Sequence, residues 1–148
     1  MINIPNLPEQ KRQLLEQLVE QLSQVSGLAA IVLGGSYASG PPHAASAMDV
    51  GLYYFEAAPF SIADIRHIAE ATAVDGQATV TGFYEWGAWV NGGAWIHTQQ
   101  GKVDFLYRNI DQIQRTLAAA RQGISQHDYD QQPAYGFYSV IYLAETQI

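Results

Sequence analysis

The chain reads as an α/β (α+β) protein, a small mixed β-sheet flanked by helices, and three observations carry that expectation. Apolar residues recur every three or four positions over Pro8–Val25, from Ile62 to Ala73 and from Ile110 towards Gly123, the spacing of helices that lay one face on a core. Between them stand short runs of branched and aromatic residues, Leu28–Leu33, Met48–Phe55, Ala94–Thr98 and Lys102–Tyr107, the composition of strands. The order is helix, strand, strand, helix, strands, helix, helix, which packs most simply as helices against one sheet.

Each element has its own signals. Leu15, Leu18, Val19, Leu22 and Val25 form the apolar stripe of the first helix, and Gly27 ends it. Leu28–Leu33 is continuously apolar, the pattern of a fully buried strand, and Gly34-Gly35-Ser36 closes it. Tyr37–Ser46, with Gly40, Pro41 and Pro42, is a loop with room for a helical turn at its start. Met48–Phe55 resumes strand character, and Pro59 breaks it. Ser61 with Asp64 approximates a capping box for the next helix, whose stripe is Ile62, Ile65, Ile68 and Ala69, and Asp75-Gly76 is the turn after it. Trp86, Trp89 and Trp95 surround Gly92-Gly93, ahead of a hairpin with its turn at Gln99-Gln100-Gly101. Asn109 with Gln112 predicts a second capping box, for a helix that Gly123 stops, and Gly136–Ile148 reads as a short aromatic helix.

Composition narrows the function classes. At 148 residues and 48% apolar content, one domain spanning 1–148 has enough core to fold unaided. The absence of cysteine excludes disulfides, thiolate metal sites and a cysteine nucleophile, and makes a cytoplasmic location the expectation. No apolar run is long enough for a signal peptide or a membrane span, so the expected protein is soluble with no membrane partner. A net charge of -7 repels phosphate backbones and argues against general nucleic-acid binding.

The stretch with chemical content is Leu33-Gly34-Gly35-Ser36, ten further residues, then Ala47-Met48-Asp49 and the strand Val50–Tyr54. Two carboxylates one residue apart on a strand point to one side, and a third from a neighbouring strand completes a site for hard cations. Asp49 holds one such position, and Asp104, acidic inside the strand Val103–Tyr107, is the candidate from the neighbouring strand. Backbone N–H groups at Gly35 and Ser36, with the Ser36 hydroxyl, suit a phosphate, and glycine permits close approach.

This pattern resembles the signature of the polymerase-β-like nucleotidyltransferases, in which Gly-Ser is followed by roughly ten residues and by Asp-x-Asp on a strand. The likeness covers residues 31–55 and reaches about residue 107 with Asp104. It implies the fold of that superfamily and an Mg²⁺- or Mn²⁺-dependent transfer of a nucleoside monophosphate from a triphosphate, ATP above the others, to a hydroxyl. Gly35 and Ser36 would bind the nucleotide, Asp49 and Asp104 would bind metal, and Asp104 would act as general base. Ala47 stands where the pattern has its first aspartate, and a methyl group ligates no metal. A disabling engineered substitution, a naturally degenerate member and a misaligned motif all fit, and the intact surroundings favour the first.

The branches it looks like are small antibiotic-modifying transferases, with an aminoglycoside acceptor and a role in antibiotic resistance, and the minimal transferases that serve as antitoxins. The latter would bring a protein or RNA acceptor and a cognate toxin as partner. With little chain beyond Asp104, the acceptor site is either minimal or shared in a homo-oligomer. The competing class is a non-catalytic protein that keeps the fold and binds a nucleotide or a partner. Ordinary readings also exist for each residue: Gly-Gly-Ser as a plain turn, Asp49 as a strand-start cap, Asp104 paired with Lys102 or Arg108. The tryptophans read first as packing, with Tyr84, Glu85 and Trp86 as weaker candidates for an acceptor pocket. His43, His67, His97 and His127 lack metal-ligand spacing.

Overall fold

A computed structural model describes residues 4–39, 46–89, 91–124, 127–128 and 137–138. In chain order the elements are α1 (Glu9–Leu22), β1 (Ala30–Gly34), a short α2 (Ser36–Ser39), β2 (Met48–Tyr54), α3 (Ile62–Thr72), β3 (Thr79–Val80), β4 (Gly93–Thr98), β5 (Gly101–Asn109) and α4 (Ile110–Arg121). Two residue pairs, β6 (His127–Asp128) and β7 (Phe137–Tyr138), make a separate antiparallel ladder.

The main sheet has five strands in the order β1-β2-β5-β4-β3. It is mixed: β2 and β5 run parallel, and the other neighbours are antiparallel. The parallel pair is joined through α3, β3 and β4, the long crossover that parallel strands require.

Alternation then divides the sheet into two faces. Along β2, Met48, Val50, Leu52 and Tyr54 are buried, whereas Asp49, Gly51 and Tyr53 are only partly covered; β5 repeats the pattern with Val103, Phe105 and Tyr107 inside. The inner face packs against Leu14, Leu15, Leu18 and Leu22 of α1 and Ile65, Ile68 and Ala69 of α3, forming one core. Tyr54, Phe60, Phe83 and Tyr107 close one end with ring centroids 4.8–5.5 Å apart. α4 stands outside this core, with only Thr116 buried.

Several expectations need correction. β1 is an edge strand, not a fully buried one: Ala30 and Val32, opposite Tyr53 and Gly51, lie on the outer face, where Ala30 is exposed and Val32 keeps 44% of its surface, and on the inner face Ile31 and Leu33 are only partly buried because β1 has a neighbour on one side only. Ser61 caps α3 without a side-chain hydrogen bond, whereas Asn109 does accept from the Gln112 amide at 3.0 Å. Phe137 and Tyr138 pair as strand, so the helix expected from Gly136 does not include them; the remainder of that segment lies outside the described residues. The short β3 escaped the sequence reading, since two residues carry no periodicity.

At Gly93 there is no room beside β5: a Cβ there would meet the Phe105 carbonyl oxygen at an impossible distance. Gly93→Ala is therefore expected to lower stability by about 3 kcal/mol or more, because backbone rather than a side-chain tip must move. Urea denaturation measures it, and an unchanged midpoint would contradict this packing.

Candidate functional site

The pairing of strands aligns one row of residues across the sheet. Gly34 lies opposite Asp49, Asp49 opposite Asp104, Asp104 opposite Trp95, and Trp95 opposite Thr79. Residues paired in this way share a face, and this row is on the face away from α1 and α3. Asp49 and Asp104, 55 positions apart in the chain, thus become side-by-side carboxylates.

Both carboxyls are pushed above the ordinary aspartate value of 3.8. For Asp49 the cause is burial; for Asp104 it is burial first and the negative charge of Asp49 second, partly offset by Lys102 and His97. A raised carboxyl pKa favours the fold at low pH, and that contribution is lost as pH rises through the folded-state value. At neutral pH the carboxylate pair is therefore a cost to the fold.

Gly35 presses on this pair. It has φ +67°, and a Cβ built on it would fall on Asp49 Oδ2, so only glycine leaves the carboxylate where it is. Ser36 follows at the start of α2, and Tyr37 is buried in the core. Ala47 immediately precedes β2, half-buried and two residues before Asp49.

A residue the sequence reading missed joins these parts. Lys11 of α1 is only 8% exposed, and its Nζ donates to the Tyr37 hydroxyl at 2.5 Å and to the Ser46 carbonyl at 3.1 Å, 5.0 Å from the centre of the Tyr37 ring. Tyr37 follows Ser36 and Ser46 precedes Ala47, so one ammonium ties together the two ends of the 37–46 segment. The available signal was a lysine beside the apolar stripe of α1, which an ordinary snorkelling side chain also produces.

The remaining candidates separate. Arg108 lies on β5, partly covered and on the same face as Asp104, four residues further along. His97 is exposed on that face beyond Trp95, His67 lies on α3, and His43 falls outside the described residues. Trp86 packs on Trp95 with centroids 4.0 Å apart at 44°. A groove of about 840 Å³ between α1 and α3 is lined by Gln17, Glu20, Gln21, Asp64 and His67, away from the carboxylates. It is broad and open and brings no reactive group to a focus, so the carboxylate row is the better candidate.

No family model, curated protein or solved structure matches this chain. The site therefore stands on its own chemistry.

Asp49 and Asp104 form an all-oxygen donor pair suited to a hard divalent cation such as Mg²⁺ or Mn²⁺, whose charge would relieve their mutual repulsion. Among the described residues no three His, Cys, Asp or Glu side chains gather to hold a metal. These two carboxylates would be the donors to one such cation.

Asp104→Asn removes the repulsion and is expected to raise Tm at pH 7, with the gain shrinking to nothing as pH falls below 3.8, where the carboxyl is protonated in both folded and unfolded chains. Thermal melts across pH 3–8 check the sign. Lys11→Met is expected to cost about 1–3 kcal/mol by taking the ammonium from the Tyr37 hydroxyl and the Ser46 carbonyl, with Lys11→Arg failing to restore it in so confined a place. Urea midpoints of the two variants against the unmodified chain decide this.

Proposed function

We propose that this chain has the polymerase-β-like nucleotidyltransferase fold and descends on a transferase site that moves a nucleoside monophosphate from a triphosphate, ATP by preference, to an acceptor hydroxyl. The observation that carries the reading is the Asp49–Asp104 pairing with Gly35 against Asp49, since the glycine and the two aspartates of one sequence pattern come together at the outer face of the sheet. The five-stranded mixed sheet with helices is compatible with that fold. No helix of the described residues is long and apolar enough to cross a membrane.

In this reading Gly35 and Ser36 hold the β- and γ-phosphates through backbone N–H groups and the Ser36 hydroxyl. Asp49 and Asp104 bind the divalent cation, which when present neutralises phosphate charge and polarises the reacting oxygens. The acceptor oxygen forms a bond to the α-phosphorus as the bond from that phosphorus to the α,β-bridging oxygen breaks. Pyrophosphate leaves, and the acceptor proton passes to the Asp104 carboxylate. With Ala at 47 one carboxylate ligand is lacking, so turnover in this form is impaired or absent.

A second reading follows from the same alanine: a protein that keeps the fold, binds a nucleotide through Gly35 and Ser36, and transfers nothing. An aminoglycoside-like small molecule, and a protein or RNA hydroxyl with a cognate toxin as partner, both remain acceptors for the first reading.

Ala47→Asp separates the two. With α-phosphate-labelled nucleotides and Mg²⁺ or Mn²⁺, the transferase reading expects label transfer to rise by about a thousandfold or more, at tenfold per 1.36 kcal/mol of recovered transition-state stabilisation, and expects Asp49→Asn or Asp104→Asn to abolish the gain. Nucleotide binding with no pyrophosphate released by Ala47→Asp would leave the binding protein.

A further inference from the structure

The two edges of the main sheet are finished differently. β3 is two residues long, and its Val80 carbonyl accepts a hydrogen bond from Arg66 Nη2 at 3.2 Å. A short strand with a charged side chain laid on it gives another chain little to pair with. β1, at the opposite edge, has neither feature. Its five residues, Ala30–Gly34, are apolar or glycine, with no charge and no proline among them. Among the described residues no strand lies on its other side, while alternate residues of such a strand turn their N–H and C=O groups away from the one neighbour it has. Apolar side chains are left half-covered on both faces: Val32 keeps 44% of its surface on the outer face, and Ile31 and Leu33 are only partly buried on the inner one.

Such an edge restricts what can cover it. Outward N–H and C=O groups spaced along an extended backbone are satisfied together by another extended backbone, not by the face of a helix. Charge then selects the strand. Residues 21–48 contain no Asp, Glu, Lys or Arg, the longest such run in a chain of net charge -7. Two copies repel each other over most of their surface, and β1 lies in the stretch where they meet without like charges opposed. The nearest charge in the sheet is Asp49, one strand in from this edge, and Asp104 and Arg108 stand two strands in. An uncharged apolar strand is the complement of an uncharged apolar strand, and the chain carries one.

We propose that β1 is a homodimer interface, at which two copies of this chain join edge to edge about a twofold axis normal to the sheet. Val32 is the middle residue of the strand, so antiparallel pairing about it sets Val32 against its own counterpart, Ile31 against Leu33 and Ala30 against Gly34 of the second copy. Each half-covered apolar side chain gains an apolar neighbour. The two outer faces fall on the same side, and the row Asp104, Asp49, Gly34 continues into Ala30 and Tyr53 of the second copy. Both carboxylate rows stay open to solvent. Because the β3 edge is closed off, pairing stops at two copies and does not propagate into a filament.

Sedimentation velocity on the full chain from about 1 to 200 µM reads the assembly directly, and a contact of this size is expected to give a dimer that dissociates at about 1–100 µM. Val32→Lys sets a charge against its own counterpart at a position exposed in the single chain, and is expected to raise the dissociation constant by about a hundredfold or more. Val32→Thr, still branched at Cβ, is expected to change it by less than about fivefold. The chain has no cysteine, so a single introduced one reports the register. Val32→Cys is expected to give a disulfide-linked dimer on mild oxidation, whereas Ala118→Cys, exposed on α4, is not. Far-UV circular dichroism confirms that each variant is folded, and the cysteine pair decides the matter should Val32→Lys fail to fold. A monomer at every concentration, a dimer indifferent to Val32→Lys, equal linkage through residues 32 and 118, or growth beyond two copies overturns the proposal.

Discussion

The parallel pairing of β2 with β5 is the constraint on which the rest depends. It puts Val50 beside Phe105 and Leu52 beside Tyr107 on the inner face, and by the same register Asp49 beside Asp104 on the outer one. Because side chains alternate, a slip of one residue would turn either strand over, exposing its core residues and burying its aspartate. The hydrophobic core of α1 and α3 therefore enforces the carboxylate pair: two like charges that repel are held together by apolar packing on the far side of the same backbone.

Such a pair has no stabilising role. Both carboxyls are harder to ionise than free aspartate, through burial first, and for Asp104 also through the charge of Asp49. A structural surface would separate them or insert a cation; here Gly35, at positive φ, gives up a side chain so that Asp49 keeps its place. That local cost supports the proposed site, since carboxylates with perturbed pKa gather where chemistry is done.

Around the pair, the two walls are secured by different means. On the β1 side a buried lysine reaches out of α1 to tie Tyr37 to Ser46. On the β4 side the tie is a polar network, in which Asn91, Asn109 and Gln112 connect the turn before Trp86 to the start of α4, and Glu56 and Arg115 extend it at the surface. Glu56 is held at a pKa of about 2 by Arg115 first and Asn109 second, so this outer part is fully charged across the physiological range. Rigid walls on both sides of a charged row position reactants better than a mobile loop does.

Helical periodicity in α1, α3 and α4, the branched and aromatic composition of β2, β4 and β5, and the Asn109 cap are local properties, and the amino-acid sequence by itself determined them. It also marked Gly35, Ser36, Asp49, Asp104 and the alanine between them, since an aspartate in an apolar strand and a glycine pair after one are anomalies visible without a fold. Strand order was beyond its reach: an apolar run such as Leu28–Leu33 looks alike at the centre and at the edge of a sheet, and only the topology made β1 an edge. So were Lys11 and the Trp86–Trp95 pair, whose meaning lies in what they touch 26 or 35 positions away or across a strand. Contacts between distant parts of a chain leave no periodicity in it, so the carboxylate row and its two walls were decided by tertiary structure alone.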